Sequence, residues 1–583
     1  MLDPRIYRAA FLPILFALVL VAFSVRDQPR ALTTTLAPDA FDGVAAWRQL
    51  QALDAAAPLR PPGSPGDRRL AGLVATGLRA SGFRVQTREL EGRTAVGTRT
   101  LETVIGERTG FSSRRIVVIA HRDALGRGAR AQLSATATLL GLAQVLGGRT
   151  LGRTLVLVST SGGSAGTAAA AQLAADPGGP LDAVIALGDL AAGRVVRPLV
   201  VPWSSSTSLA PLQLRRTVER AVTTETTLRP GGDSPFVQFV RLAFPLALGE
   251  QAPFGARGIP AVLLSAAGER PASAGAAVSP ARLTAFGRAT LRSVSALDGG
   301  GDVPGAATYL VVARKLLPAW PVRLLAAALL LPVLLASVDA LARVRRRRER
   351  VGMWLRWVAA AVVPFALAAL FAVALRVCGL LSAVPGAPAP AGAVPVDGAA
   401  LASVLVVFAL GWLALRPLLL RAAGVRGRVA GPGAATAAML VLCAAAVALW
   451  VVNPFACLLV VPALHLWLLA VAPEAPAPRA ATLALFAAGL LPPLLVALVY
   501  AQQFGLDPLQ LAWSGLLLVS GGGVGIGVVL LWCVVLGGAA GVLAILLRAQ
   551  PGGPEAALPI TVRGPATYAG PGSLGGTESA LRR

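Results

Sequence analysis

The chain has 583 residues, of which 55% are hydrophobic and 14% charged, with a mean hydropathy of +0.69; a wholly soluble globular chain is excluded, since its charged share would lie near a quarter. The net charge of +25, from 53 Lys and Arg against 28 Asp and Glu, invites a nucleic-acid reading. The basic residues lack the aromatic interleaving and recognition motifs of such proteins, so nucleic acid is set aside as a partner.

In chain order, residues 9–25 form an apolar segment behind Arg5 and Arg8 with no small-x-small cleavage site after it. This reads as an uncleaved transmembrane anchor, domain 1–25, with its N-terminus inside. Residues 26–318 have ordinary globular texture and form the exported domain. All four cysteines, Cys378, Cys443, Cys457 and Cys533, lie in or beside later apolar spans, so no disulfide staples that domain.

Short β-branched runs alternate there with helical stretches, which predicts a three-layer α/β domain, a sheet covered by helices on both faces. Residues 115–120 (RIVVIA), 154–159 (TLVLVS), 183–187 (AVIAL) and 261–264 (AVLL) read as buried strands, and 131–146 and 167–174 as helices. The carboxyl ends of such strands are where a parallel sheet presents its ligand site.

The segments at those ends resemble the aminopeptidase-like family of zinc enzymes with two co-catalytic metals, which includes bacterial aminopeptidases and vacuolar membrane proteases. RIVVIA followed by His121-Arg122-Asp123 is similar to the family's strand and His-x-Asp, whose His binds zinc and whose Asp orients it. Gly128-Ala129 with the following helix, the strand and turn from Thr154 to Gly166, the segment around Asp189, and Ala252-Pro253-Phe254 with Gly258-Ile259-Pro260-Ala261 follow in the family's order over roughly 200 residues. The resemblance implies an aminopeptidase-like (phosphorylase/hydrolase-like) three-layer fold, and a metallopeptidase's activity and zinc wherever the ligands persist.

At the positions that do chemistry the sequence departs from the family. The bridging Asp falls on Ala131, the Glu-Glu pair falls on Gly163-Ser164, and no late His follows Gly268-Glu269-Arg270. His121 and Asp189 keep the family's ligand types, with Asp123 as orienting residue. Two zinc ions need a bridging carboxylate and a base to deprotonate the attacking water, and an ordinary zinc site needs three or four protein ligands. The resemblance therefore implies a degenerate site in which His121 and Asp189 are vestigial, Gly163 marks the lost base, and no cofactor is bound. Gly162-Gly163-Ser164-Ala165-Gly166 formally matches the nucleophile elbow Gly-x-Ser-x-Gly. A triad would need a His after the Ser, and the domain has none there, so chance in a chain of 63 glycines is the better account.

Residues 319–549 are a multi-helix transmembrane domain, with spans predicted at 319–342, 357–374, 399–420, 434–452, 455–472 and 481–501. The run Arg343, Arg345, Arg346, Arg347, Arg348 and Arg350, with Arg421, Arg426 and Arg428, lies on the cytoplasmic side by the positive-inside rule. Residues 511–547, broken at Gly521-Gly522-Gly523, read as a re-entrant or interfacial piece followed by one span, for about eight helices in all. His465 is the one titratable residue deep in a span. A packing hydrogen bond outweighs a relay there, because relays assemble several polar groups. Residues 550–583 read as a disordered tail.

The expectation is a multi-pass plasma-membrane protein with both termini cytoplasmic, its exported domain a non-catalytic binding or scaffolding module for a peptide or protein partner. By resemblance, the GPI-transamidase subunit keeps such a domain among many helices without an intact metal set. The competing readings are a membrane-bound zinc metallopeptidase with altered ligands and, weakest, a transporter-like component.

Overall fold

A computed structural model describes residues 4–35, 38–381, 384–425, 432–472 and 477–548. The predicted tail, Arg426 and Arg428 lie outside the described residues.

Among the described residues, ten strands form two sheets. The larger contains β2 (Arg84–Thr94), β3 (Gly97–Arg108), β4 (Ser112–His121), β5 (Arg153–Thr160), β6 (Leu181–Leu187), β7 (Val200–Val201) and β8 (Ala261–Leu264), in the order β2-β3-β5-β4-β6-β8-β7. Its centre, β5-β4-β6-β8, is parallel, and antiparallel strands close both edges. The central strands are uninterrupted apolar runs because both faces are covered. Along β4, Ile116, Val118 and Ala120 face one core, with Leu50, Leu140 and Leu283. Val117 and Ile119 face the other, with Leu173, Val240 and Phe254. The two-residue alternation of a strand thus feeds two helical layers.

Two predicted helices begin a little later than the sequence suggests. A short 3₁₀ turn, Arg130–Leu133, precedes the helix Ser134–Leu146, and the next helix is Ala168–Ala175. Elsewhere, helix starts are fixed by local capping: the Asp42 carboxylate accepts from the amides of Val44 and Ala45, satisfying donors that the first turn leaves free.

The smaller sheet joins β1 (Arg26–Asp27), β10 (Lys315–Pro318) and β9 (Tyr309–Val312). Because β1 pairs antiparallel with β10, Arg26 opposite Leu316, the chain leaves and re-enters the helical part as one two-stranded stalk.

Eight helices among the described residues are long and apolar enough to cross a membrane: Pro4–Phe23, Ala319–Arg346, Val351–Val377, Gly398–Ala422, Gly433–Val452, Pro454–Val471, Arg479–Phe504 and Ile526–Arg548. Between the last two lies a helix of 14 residues, Pro508–Gly521, which ends at Gly522 in the left-handed conformation at φ +77°, so the long final apolar stretch is a short helix, a turn and one spanning-length helix.

The α/β domain is packed against these helices. Val240 and Leu242 of the helix Pro235–Ala243 share a core with Phe455 and Leu464. Asn453 donates its side-chain amide to the carbonyls of Leu242 and Ala243. Beside them the buried Arg241 pairs with Glu269 at 2.8 Å and lies over the rings of Trp203, Tyr500 and Phe504 at 5.1, 5.9 and 5.6 Å. This satisfies a charge that would be costly to bury alone.

Candidate functional site

Strand register brings the sequence-predicted residues to one end of the sheet. His121 is opposite Thr160 in the parallel pair β4-β5, Ala120 is opposite Leu187 in β4-β6, and Leu187 is opposite Leu264 in β6-β8. The residues after these strands therefore converge. His121, Gly163, Ser164, Asp189 and Glu250 line one cavity of about 40 Å³, which is room for a few waters. Pro390, from the segment between two spanning-length helices, also lines it.

Each of these side chains has a definite set of partners. The Nδ1 of His121 is 3.9 Å from Glu250 Oε2, while its Nε2 is buried without a hydrogen-bond partner. Asp189 is 2% exposed. One of its oxygens accepts from the Ala272 amide, and Oδ1 is buried without a partner. Burial is the main reason its carboxyl is pushed above the ordinary range, against the backbone bond and the nearby His121. Glu250 accepts from the Thr160 hydroxyl at 2.5 Å, and burial pushes its carboxyl up as well, against His121 and that hydroxyl.

Asp123 does not play the orienting part that the His-x-Asp pattern implies. One carboxylate oxygen accepts from the Gly163 amide at 3.0 Å, and the other accepts from the Ser164 amide at 3.1 Å and from the Ser164 hydroxyl. The cause is register: parallel pairing of β4 with β5 sets the turn after β5 beside Asp123, and its exposed amides take both oxygens. The same contact fixes Ser164, whose hydroxyl is given to a carboxylate rather than to a histidine, unlike a hydrolase nucleophile. Arg122, between the two site residues, is structural: fully buried, it pairs with Asp67 at 2.8 Å and donates to the Glu102 carbonyl at 2.7 Å.

Gly163, where the family resemblance would place a base, has no room for a side chain. A Cβ there would stand 2.4 Å from His121 Cβ and 3.0 Å from the Glu250 carboxyl carbon. Glu250 falls on none of the family's ligand positions, though as a neighbouring carboxylate it could stand in for a lost one. It reaches the cavity from the loop before the helix Ala252–Ala256, and the only local signal is its place just ahead of Ala252-Pro253-Phe254.

Ala131 lies in the 3₁₀ turn and is fully buried. It offers no metal donor. Among the described residues no group of three or more His, Cys, Asp and Glu side chains is placed to hold a metal ion. His121, Asp189 and Glu250 line the cavity but are not grouped as one ligand set, where zinc takes at least three protein ligands, so the residues as placed do not fit a zinc site.

Away from the cleft, His465 Nε2 lies 3.0 Å from the Leu329 carbonyl and Nδ1 lies 3.4 Å from the Tyr7 hydroxyl, so it joins three helices. Arg416 is buried over the rings of Trp412 and Trp357 at 4.6 and 5.5 Å.

No protein-family model matches the sequence, and no curated protein sequence does either. Among solved structures, the chain is similar to an Acidobacteriales bacterium glutaminyl cyclase, at 18% identity and a TM-score of 0.36 over 47% of this chain and 100% of that one. It is similar to a leucine aminopeptidase precursor from Bacteroides thetaiotaomicron, at 15% identity and a TM-score of 0.37 over 45% of this chain and 99% of that one. A zinc aminopeptidase from Bacillus subtilis is similar at 10% identity and a TM-score of 0.35, over 44% of this chain and 94% of that one. Likenesses this distant assign no chemistry to the residues of the cleft.

Proposed function

We propose that the chain is a multi-pass membrane protein whose aminopeptidase-like domain binds a peptide or protein partner and does not catalyse. On this reading the domain lies outside the plasma membrane and both termini are cytoplasmic, in keeping with Arg5, Arg8 and the arginines from 343 to 350. The observation that carries the non-catalytic reading is how the donors around the cleft are spent. Asp123 and Ser164 bind each other, Glu250 Oε1 is taken by Thr160, and no base can be placed at Gly163 without displacing His121. What remains, His121 Nε2, Asp189 Oδ1 and Glu250 Oε2, is not grouped as a metal-ligand set among the described residues, and so does not supply the bridged pair of metals and the base that such catalysis needs.

One observation favours a second reading, a membrane-bound metal-dependent peptidase with displaced ligands. The Glu250 carboxyl occupies the space a side chain at 163 would need, and burial raises it in the direction that suits a general acid or base. The test is an assay of the full-length protein in detergent with zinc, cobalt or manganese against aminoacyl amides and dipeptides. His121→Ala and Glu250→Gln are assayed alongside. The non-catalytic reading expects no metal-dependent turnover. Turnover that needs added metal and is lost in both variants would establish the second reading.

A further inference from the structure

The contact between the α/β domain and the helices encloses a cavity unlike the cleft. It has a volume of about 330 Å³, within the size range of small-molecule pockets. Its walls are almost wholly apolar: Val496, Tyr500 and Phe504 at the end of the helix Arg479–Phe504, Leu518 of the helix Pro508–Gly521, and Phe244 of the α/β domain, with Pro388 of the segment from 384 to 397 above them. The Tyr500 hydroxyl, the main polar group in that wall, is already given to the Phe244 carbonyl.

Phe504 is also a wall of a second, more polar cavity of about 490 Å³, lined by Arg270, Ser164, Gln132 and Pro390. The two spaces thus meet across one phenylalanine and across consecutive residues of one loop. Arg270, which also lines the cleft cavity, is the cation of this second space and packs against Gly505. It makes no ion pair among the described residues, since its neighbour Glu269 is held by Arg241 at 2.8 Å and by the Leu248 amide at 2.9 Å.

We infer that this junction binds an anionic phospholipid, one acyl chain in the apolar cavity and the phosphate on Arg270. The position selects a lipid over a soluble anion. The cavity lies at the last turns of a spanning-length helix, whose Leu494 and Leu498 are 64% and 51% exposed on the other side, so the same turns face the bilayer at the depth where head groups begin. A guanidinium beside an apolar slot matches phosphate joined to hydrocarbon, and its planar fork suits phosphate oxygens. The inference rests on the helices crossing a bilayer. It does not depend on whether the cleft catalyses.

The experiment uses full-length protein relipidated with phosphatidylglycerol bearing a diazirine on one acyl chain, with phosphatidylcholine of the same chains in parallel, and maps the photolabel by mass spectrometry. Phosphatidylglycerol should label residues 496–504 and 511–518 in preference to the outward Leu494 and Leu498. Gly515→Leu should remove that preference, because Gly515 lines the cavity and a Cβ there meets nothing within 4 Å. Ala497→Leu is the second filler if the first variant does not fold. Arg270→Gln should cut phosphatidylglycerol labelling about tenfold, the worth of one charge-assisted hydrogen bond, and lower that of phosphatidylcholine, whose phosphate is offset by its own choline cation, by much less. Equal labelling by both lipids, or labelling unchanged in the filled and neutralised variants, would overturn the inference. No label even at Leu494 and Leu498 would overturn the membrane reading beneath it.

Discussion

The side-chain amide of Asn453 reaches across from the helical half to the Leu242 carbonyl at 2.8 Å and the Ala243 carbonyl at 3.0 Å. These are the last carbonyls of the helix Pro235–Ala243, which have no partner within their own helix. One residue thus caps a helix of the α/β domain while its Oδ1 accepts from the amides of Phe455 and Ala456 at the start of a spanning-length helix. Asn453→Ala leaves buried carbonyls and amides unpaired, and should cost about 1–3 kcal/mol. The expected readout is a lower melting temperature in detergent together with faster proteolysis near residue 243. An unchanged melting profile would mean that this contact does not couple the two halves.

Asp189 and Glu250 make a pH-dependent contribution whose sign is fixed by burial. Both carboxyls are raised above their ordinary values of 3.8 and 4.5, so the folded state holds protons that the unfolded chain has released. Stability therefore falls as pH rises from the ordinary carboxyl range to the raised folded values, and above them the full cost is present. Asp189→Asn should raise the melting temperature at neutral pH and flatten its decline from acid to neutral. If the substitution destabilised the protein at neutral pH, the ionised carboxylate would have a partner that the described residues do not supply.

Chelation is the complementary measurement. With no group of three ligand side chains assembled among the described residues, where a zinc site needs at least three, a chelator should leave the melting temperature of the full-length protein unchanged. A fall of several degrees that zinc reverses, and that His121→Ala abolishes, would place a metal among these residues.

The central sheet was legible in the sequence because residues 115–120, 154–159, 183–187 and 261–264 are unbroken apolar runs, the pattern forced on strands covered on both faces. The long hairpin β2-β3 was not picked out. It lies at the sheet edge, and most of Arg84, Gln86, Thr87, Glu89 and Glu91 meets solvent or is half-covered, so its charges mask the alternation. At the cleft, His121 and Asp189 could be found because they follow strands, whereas Glu250 arrives from a loop with no periodic pattern. Asp123 was misread for a related reason. An acid two residues after a strand-end histidine can turn back to the imidazole or across to the neighbouring strand's turn, and only the pairing of β4 with β5 decides between them.

The orientation of the chain can be tested by cysteine labelling in cells, in a Cys378→Ser background because Cys378 is the exposed native thiol. Phe111 is 88% exposed on the α/β domain, and Arg347 lies in the arginine run just after the helix Ala319–Arg346. With the arginines inside, Phe111→Cys should react with an impermeant maleimide in intact cells and Arg347→Cys only after permeabilisation. The reverse pattern would invert the proposed topology.

The last prediction concerns why the base position is glycine. A Cβ at Gly163 would stand 2.4 Å from His121 Cβ and 2.8 Å from its Cγ, closer than side-chain carbons approach, and neither atom is the far end of a flexible chain. Its backbone does not need glycine for its own conformation, since φ is not positive there, so the constraint is crowding by side chains, first the histidine and then the Glu250 carboxyl carbon at 3.0 Å. Gly163→Ala should therefore destabilise the protein by about 1–3 kcal/mol through overpacking, and Gly163→Glu should restore no activity, because the new side chain cannot enter without moving His121. If the histidine is the cause, removing its side chain should relieve the strain. Gly163→Ala placed on His121→Gly should cost less than the sum of the two single changes, with a coupling of about 0.5–3 kcal/mol, the range for residues in contact. Additive costs in that double-mutant cycle would show that the turn at Gly163 yields freely, and would reopen the position to a base.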